Sequence, residues 1–483
     1  MIELKITLNG DEHLYEQIYN YIKNEIKKGK LLRGERLPST RSLAGFLNVS
    51  RTTVDMAYDQ LLSEGYIEAR PQRGYFICDV GQIVSVGNSV NSTNTTPKKQ
   101  INKSGVDAER AENDKKIDID FSPRAIDMST FPYATWKKIT RNILVDARSD
   151  MFKTGDAAGD MELRETIARY LMFARGVKCR AEQIVVGAGN DYLLMLLEKI
   201  IGHRNVAMEQ LTYIKAYKIF KSFGYKVNII GIDDNAISVN ELKSTDSNLV
   251  YAMPSHQYPT GIVMPISRRM ELLQWADESE ERYIIEDDYD SEFRYRGKPV
   301  PSLQETDAMD KVIYIGTFSK SIAPSIRVSY MVLPYRLLEI YHEKCSCYAS
   351  TVSRIDQAIL NEFIRDGYFE RHLNKMRRLY RMKHDLLLEQ LEGFEDRFDI
   401  SGSDAGLHVI LSAKKNNVSE EQLTKAAADA GVRVYPLKDY ALMDGEKHIT
   451  ASNLMRPTVI IGYASLSTEQ IIEGCKRLNK IWK

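Results

Sequence analysis

Apolar residues recur at helical spacing along Leu14, Ile18, Tyr21, Ile22 and Ile26, so the chain opens on an amphipathic helix that Gly29 and Gly34 close. A second helix follows Pro38, with Leu43, Phe46 and Leu47 on one face and Ser39 or Thr40 at its cap. Asn48 and Val49 make a short turn. A third helix starts with Ser50 as N-cap and turns Val54, Ala57, Tyr58, Leu61 and Leu62 inward. Two short strands then flank Pro71-Gln72-Arg73-Gly74. Helix, helix, short turn, helix and hairpin is the layout of a winged helix-turn-helix.

This patterning stops near Gly81. Up to about Ile117 the chain is rich in Ser, Asn, Thr, Lys and Gly and nearly free of large apolar residues after Val90. Such a segment buries too little apolar surface to offset its ordering entropy, which predicts a flexible tether. Beyond it, strand-like runs at residues 183–189, 226–233, 247–253, 282–290 and 311–320 alternate with helical segments such as 162–177 and 191–201. Alternation of this kind predicts a large α/β domain with a mainly parallel sheet. The expected division is therefore 1–80 for the winged helix-turn-helix, 81–117 for the linker and 118–483 for the α/β domain.

Composition narrows the function classes. The chain has 483 residues, with 66 Lys+Arg against 66 Asp+Glu, so it is no bulk polycation and gives no whole-chain electrostatic argument for nucleic acid or membrane. No apolar run approaches the ~18 residues of a membrane span. The N-terminus lacks a charged start followed by an apolar stretch, and the five cysteines have no repeated spacing. Cys345 and Cys347 alone are a poor case for a metal. The expectation is a soluble cytoplasmic protein with reduced thiols, no metal and no membrane contact.

Candidate chemistry in the first unit lies in a few positions. Residues 1–80 hold 11 basic and 11 acidic side chains, so placement rather than net charge carries the argument. Ser50, Arg51, Thr52 and Thr53 open the third helix, where a recognition helix presents groups to base edges and phosphates. Arg41 is early in the preceding helix, and Arg73-Gly74 forms the wing tip. With Gly34, Leu37, Pro38, Ser39, Arg41, Leu43 and Ala44, then Ser-Arg-Thr-Thr-Val from Ser50 and the Glu-Gly-Tyr-Ile ending at Ile67, residues 14–77 resemble the DNA-binding module of GntR-type bacterial repressors. The resemblance implies that Arg41, Ser50, Arg51, Thr52, Thr53, Arg73 and Gly74 approach double-stranded operator DNA.

In the second unit, polar residues collect at the carboxyl ends of strands, where α/β sheets bind ligands. Each signal alone is weak. Together they fit the needs of pyridoxal 5′-phosphate. Lys320 can supply the amine for a Schiff base, Asp287 a carboxylate for the pyridinium nitrogen, and Tyr289 a donor for the phenolate oxygen. Gly189 and Asn190 at a helix start, with Thr317, Ser319 and Arg327, can bind the phosphate. The run from Gly316 to Tyr330 resembles the lysine segment of fold-type I aminotransferases. Residues 155–177, 254–261, 286–295 and 431–440 resemble the aminotransferase-like half of MocR/GabR-type regulators, which join a GntR-type domain to this fold through a linker. The resemblance implies a small C-terminal α+β subdomain, adds Tyr213 to the cofactor set, and implies a homodimer.

Two positions depart from the aminotransferase pattern. Tyr258, preceded by His256 and Gln257, stands where those enzymes carry an asparagine. Ile460 stands where they carry an arginine for the substrate carboxylate, and Arg456 is four residues away, roughly 13 Å along a strand. Three readings remain open: a transcription regulator whose PLP-bearing domain senses a small molecule such as an amino acid, a regulator that senses PLP itself, and an active aminotransferase with an accessory domain. Lys215, downstream of Tyr213, is a candidate replacement cation.

Overall fold

A computed structural model describes residues 6, 13–64, 66–70, 73–78, 117–145, 149–294, 301–403, 405–415, 418–442 and 456–483. The expected linker, apart from Ile117, lies outside the described residues, as do Pro71 and Gln72 of the wing. The chain divides into two compact units, Met1–Ile101 and Asn102–Lys483.

In the first unit, α1 (Leu14–Lys27), α2 (Thr40–Leu47) and α3 (Arg51–Ser63) precede a hairpin of β1 (Ile67–Arg70) and β2 (Gly74–Ile77). Ile18, Ile22 and Ile26 form the buried stripe of α1, while Leu14 is exposed. The turn between α2 and α3 is set by Asn48 in the left-handed region and by the Ser50 cap of α3, and Ser39 caps the start of α2. Ser39 accepts from the Ser42 amide and Ser50 from the Thr53 amide, each at 3.1 Å. The buried Tyr58 donates to the Pro38 carbonyl at 3.0 Å, tying the entry of α2 to the middle of α3.

One expectation fails here. Phe46 is 67% exposed rather than packed beside Leu43. The buried side of α2 is Thr40, Leu43 and Ala44, and at 3.6 residues per turn Phe46 points roughly 110° away from its centre. Leu62 and Tyr21 are half-buried for the same geometric reason, lying at the edge of their stripes.

The second unit is built on a seven-stranded sheet. In spatial order its strands are Ile184–Gly187, Ser329–Val332, Val312–Thr317, Tyr283–Asp288, Leu249–Ala252, Asn205–Glu209 and Lys226–Ile230. Ser329–Val332 is antiparallel to both neighbours and all other pairs are parallel. Both faces are covered, so successive residues enter different cores. Val185, Ile313 and Met331 pack on one side, Ile184, Val186, Tyr314 and Tyr330 on the other. That explains the near-continuous apolar runs in the sequence.

A smaller antiparallel sheet, in the order Phe398–Ser401, His408–Ala413, Thr458–Gly462 and Tyr435–Pro436, forms the C-terminal subdomain. Helices Tyr368–Leu391 and Thr468–Ile481 contribute to its core. The start of the unit belongs to the same core: Ile119–Asp120 pairs with Val432–Arg433, and Phe121 is buried against the subdomain. Among the described residues no helix is long and apolar enough to cross a membrane.

Candidate functional site

Strand alternation sorts the consecutive carboxyls of Tyr283–Asp288. Glu286 accepts from the amides of Leu303 and Gln304 at 2.8 and 3.0 Å. Asp288 is bound by Arg175 at 2.7 Å and by the Tyr314 hydroxyl at 2.5 Å. Asp287 lines a cavity and accepts from the Tyr251 hydroxyl and, at 3.2 Å, from Asn190 Nδ2. Burial pushes the Asp287 carboxyl up to about 7, with the Tyr251 bond opposing. A cationic ring nitrogen placed beside it would hold it ionised.

The sheet register aligns the remaining strand ends. Asp287 is opposite Ile315, Thr317 opposite Ser329, and Ser329 opposite Gly187. Lys320 follows the Val312–Thr317 strand by three residues, is half-buried, and donates to the Arg124 carbonyl at 2.8 Å. Burial pulls its amine down to about 8, with Asp290 opposing and Arg124 adding to the shift. A larger neutral fraction makes it a better nucleophile than a solvated lysine.

On the far side, Gly189 has φ 94° and precedes the helix Asn190–Ile201, which has no side-chain cap. Its first amides are therefore open to an anion. A Cβ on Gly189 would lie 2.6 Å from Arg327 Nη2, so this approach requires glycine. Arg327 donates to the Ala188 carbonyl at 3.3 Å and to Asp191 at 3.2 Å.

All nine positions named from the sequence, namely Gly189, Asn190, Tyr213, Asp287, Tyr289, Thr317, Ser319, Lys320 and Arg327, line this one cavity. Asp191, Lys215, Met253, Tyr258 and Ser329 complete the lining. Lys215 is ion-paired with Asp191, which also holds Arg327. Among the described residues Asn190 Oδ1 is buried without a hydrogen-bond partner, an open acceptor beside the Asp287 carboxyl. A carboxyl for a ring nitrogen, a hydroxyl for a phenolate, an amine, and an uncapped helix start with an arginine together fit pyridoxal 5′-phosphate.

Sequence reading missed Tyr251, because its contact with Asp287 joins residues 36 apart on neighbouring strands. Ile460 is fully buried in Thr458–Gly462, opposite Ile410 and Tyr435. Arg456 is bound to Asp399 at 2.7 Å.

In the first unit, Arg41, Ser50, Arg51, Thr52 and Arg73 are exposed and Thr53 and Gly74 half-buried. Arg51 makes a 3.4 Å contact to Asp55 one turn on and is 69% exposed, which presents the guanidinium to solvent. Gly74 has φ 96°, and Arg36 packs against it, with its Nε 3.3 Å from where a Cβ would stand. Arg36 and Arg70, whose guanidinium stacks 4.4 Å from the Phe76 ring centroid, add cations at the wing that the sequence reading passed over.

A winged helix followed in one chain by an aminotransferase fold defines a DNA-binding regulator with a small-molecule domain. The chain belongs to the HTH-type transcriptional regulators that join a gntR-family domain to a class I and II aminotransferase domain. The model for bacterial regulatory proteins of the gntR family matches residues 14–77, and that for aminotransferase class I and II matches residues 127–478. The chain is 40% identical to the uncharacterized HTH-type transcriptional regulator YdeL of Bacillus subtilis over 98% of this chain and 97% of that one. It is 31% identical to the probable rhizopine catabolism regulatory protein MocR of Rhizobium meliloti over 98% and 95%. It is 29% identical to the pyridoxine biosynthesis transcriptional regulator PdxR of Corynebacterium glutamicum over 91% and 92%. Among solved structures, the multiple substrate aminotransferase of Thermococcus profundus matches with a TM-score of 0.66 and 25% identity, over 77% of this chain and 94% of that one.

Proposed function

We propose that this regulator binds operator DNA through α3 and the wing, holds pyridoxal 5′-phosphate in the cavity through Lys320, and uses the loaded domain to sense a small molecule. The carrying observation is that the amine, the ring-nitrogen carboxyl, the phenolate donor and the uncapped helix start line one cavity. When bound, the cofactor supplies an aldehyde that takes amines covalently and absorbs light. This chain's residues do the rest. Asp287 holds a charge beside the ring nitrogen, Tyr289 addresses the phenolate oxygen, and Thr317, Ser319, Arg327 and the first amides of Asn190–Ile201 bind the phosphate. The proposed protein acts in the cytoplasm as a homodimer, since paired recognition helices read paired half-sites.

The test is an absorption band formed with pyridoxal 5′-phosphate that Lys320→Ala abolishes, together with operator binding that the cofactor or an added amine changes. Borohydride labelling of a different lysine would remove Lys320 from its role.

A second reading, in which pyridoxal 5′-phosphate is itself the signal, is supported by the buried apolar Ile460, which stands where the related enzymes carry an arginine for the substrate carboxylate, and by the likeness to PdxR. An operator response to the cofactor alone, with no response to amines, favours it. The intact Lys320, Asp287 and Arg327 keep a third reading, an active aminotransferase, open to the same assay.

A further inference from the structure

One ring nitrogen beside the cavity is claimed by three oxygens. His256 Nδ1 is 3.0 and 3.1 Å from the two carboxylate oxygens of Asp290 and 2.9 Å from the Tyr289 hydroxyl. His256 and Asp290 are both buried, 3% exposed each. His256 Nε2 is buried with no hydrogen-bond partner among the described residues. Gly406 packs closely against this ring, since a Cβ there would lie 2.1 Å from His256 Cε1 and 2.9 Å from Nε2.

This arrangement fixes the proton. A proton on Nε2 would be an unpaired buried donor, and the bare Nδ1 lone pair would face a carboxylate. Both are costly. With the proton on Nδ1, Asp290 receives a charge-assisted bond and only a weak acceptor is left unpaired. Nδ1–H then cannot accept from Tyr289. The phenol oxygen shares that N–H as an acceptor, and its own proton is free to point into the cavity.

We infer that His256 and Asp290 are positioning residues for Tyr289: they hold its hydroxyl proton toward the cavity, where a bound cofactor's phenolate oxygen would receive it. This rests on the proposal that the cavity holds pyridoxal 5′-phosphate and goes beyond it by assigning a role to two residues outside the cavity lining. Other groups facing the pair are His408, with ring centroids 5.7 Å from His256, the Tyr258 ring against Tyr289, also at 5.7 Å, and the charge of Lys320, which Asp290 stabilises. Burial drives the His408 imidazole down to about 4, so near neutrality it stays uncharged and does not compete for Asp290. Burial likewise raises Tyr289 well above an ordinary phenol, with the Asp290 charge adding, which keeps its proton in place.

The test exploits opposite signs. In loaded protein, the pH midpoint of cofactor absorption reports the proton held between Lys320 Nζ and the phenolate oxygen. A Tyr289 bond to that oxygen competes for it and lowers the midpoint, so Tyr289→Phe should raise it. His256→Phe removes the Nδ1 donor and leaves Asp290 to accept the Tyr289 proton, which turns away from the cavity, so by the proposed route it also raises the midpoint. Asp290→Asn removes a negative charge but keeps an oxygen that accepts from Nδ1–H, so it should lower the midpoint.

The expected result is an upward shift in His256→Phe of the same sign as in Tyr289→Phe, with no further shift in the double variant, beside a downward shift in Asp290→Asn. A downward or absent shift in His256→Phe, or one that persists in the Tyr289→Phe background, overturns the inference. His256→Asn, whose amide nitrogen can overlay Nδ1 as donor, should restore the midpoint; equal midpoints in His256→Phe and His256→Asn overturn the inference. A Lys320-dependent band with unmoved midpoints overturns the inference alone. No such band in the natural protein overturns the cofactor proposal and the inference with it.

Discussion

At the scale of single residues, the environment of Lys320 sets a pH dependence. An amine at about 8 is neutral in about one molecule in ten at pH 7, whereas an ordinary lysine near 10.4 is neutral in only a few per ten thousand. Only the neutral amine attacks an aldehyde. The rate of loading with pyridoxal 5′-phosphate should therefore rise with pH and level off above a midpoint near 8, followed by absorption in stopped flow. A rate still climbing steeply at pH 9.5 would place the reactive amine elsewhere. Arg51 carries the matching prediction for the other unit. Its side chain is 69% exposed at the first turn of α3, and a bidentate contact to guanine is worth about 1–3 kcal/mol of discrimination. Arg51→Ala should weaken specific operator binding by that amount in a shift assay at fixed salt and leave cofactor absorption unchanged.

At the scale of elements, two short segments hold the sites in shape. The Ser50 cap satisfies an amide at the start of α3 with a 3.1 Å bond, and its hydroxyl also meets Thr53 at 2.8 Å. Ser50→Ala should lower stability of the DNA-binding unit by about 1 kcal/mol, read as a shift in its denaturation midpoint. Gly189→Ala combines a left-handed φ with a Cβ pressed against Arg327. It should destabilise the turn by about 1–3 kcal/mol and raise the cofactor dissociation constant in equilibrium dialysis. Unchanged retention would separate this turn from the phosphate. Elements of this kind were legible in the sequence because their signals are local: a serine cap, a glycine ending an apolar run, a helical stripe. Phe46 misled because three apolar residues in an eight-residue helix do not say which side its neighbour covers. The reversed direction of Ser329–Val332 left no mark, since a strand buried on both faces reads the same either way. The Asp287–Tyr251 and His256–Asp290 contacts join residues 36 and 34 apart and needed the sheet register and the fold around it to appear.

At the scale of the whole molecule, the two units make one regulator only if occupancy of the cavity changes DNA affinity, and that coupling is reciprocal in binding free energy. An amine that shifts operator affinity tenfold must bind tenfold more or less tightly when operator is present, about 1.4 kcal/mol in either measurement. Whether such an amine is also turned over depends on orientation, which supplies a large part of the rate of such reactions. A transaminase must fix the substrate carboxylate so that the reacting C–H bond faces the lysine. Here Ile460 is buried among apolar neighbours in the core that includes Leu437 and Tyr440, and Arg456 is held by Asp399. Lys215 does reach the cavity, but Asp191 already holds it, together with Arg327. An incoming carboxylate would have to displace Asp191 and would meet a point charge rather than a planar fork. Weak or absent turnover of ordinary amino acids is therefore the expected outcome when loaded protein is mixed with a panel of them and pyridoxamine phosphate is followed. Rapid multiple turnover with any common amino acid would make the chain an enzyme with an attached DNA-binding unit. A slow spectral change without product, accompanied by altered operator affinity, would identify the amine as effector, and Lys215→Ala should then weaken its binding more than it weakens that of the cofactor.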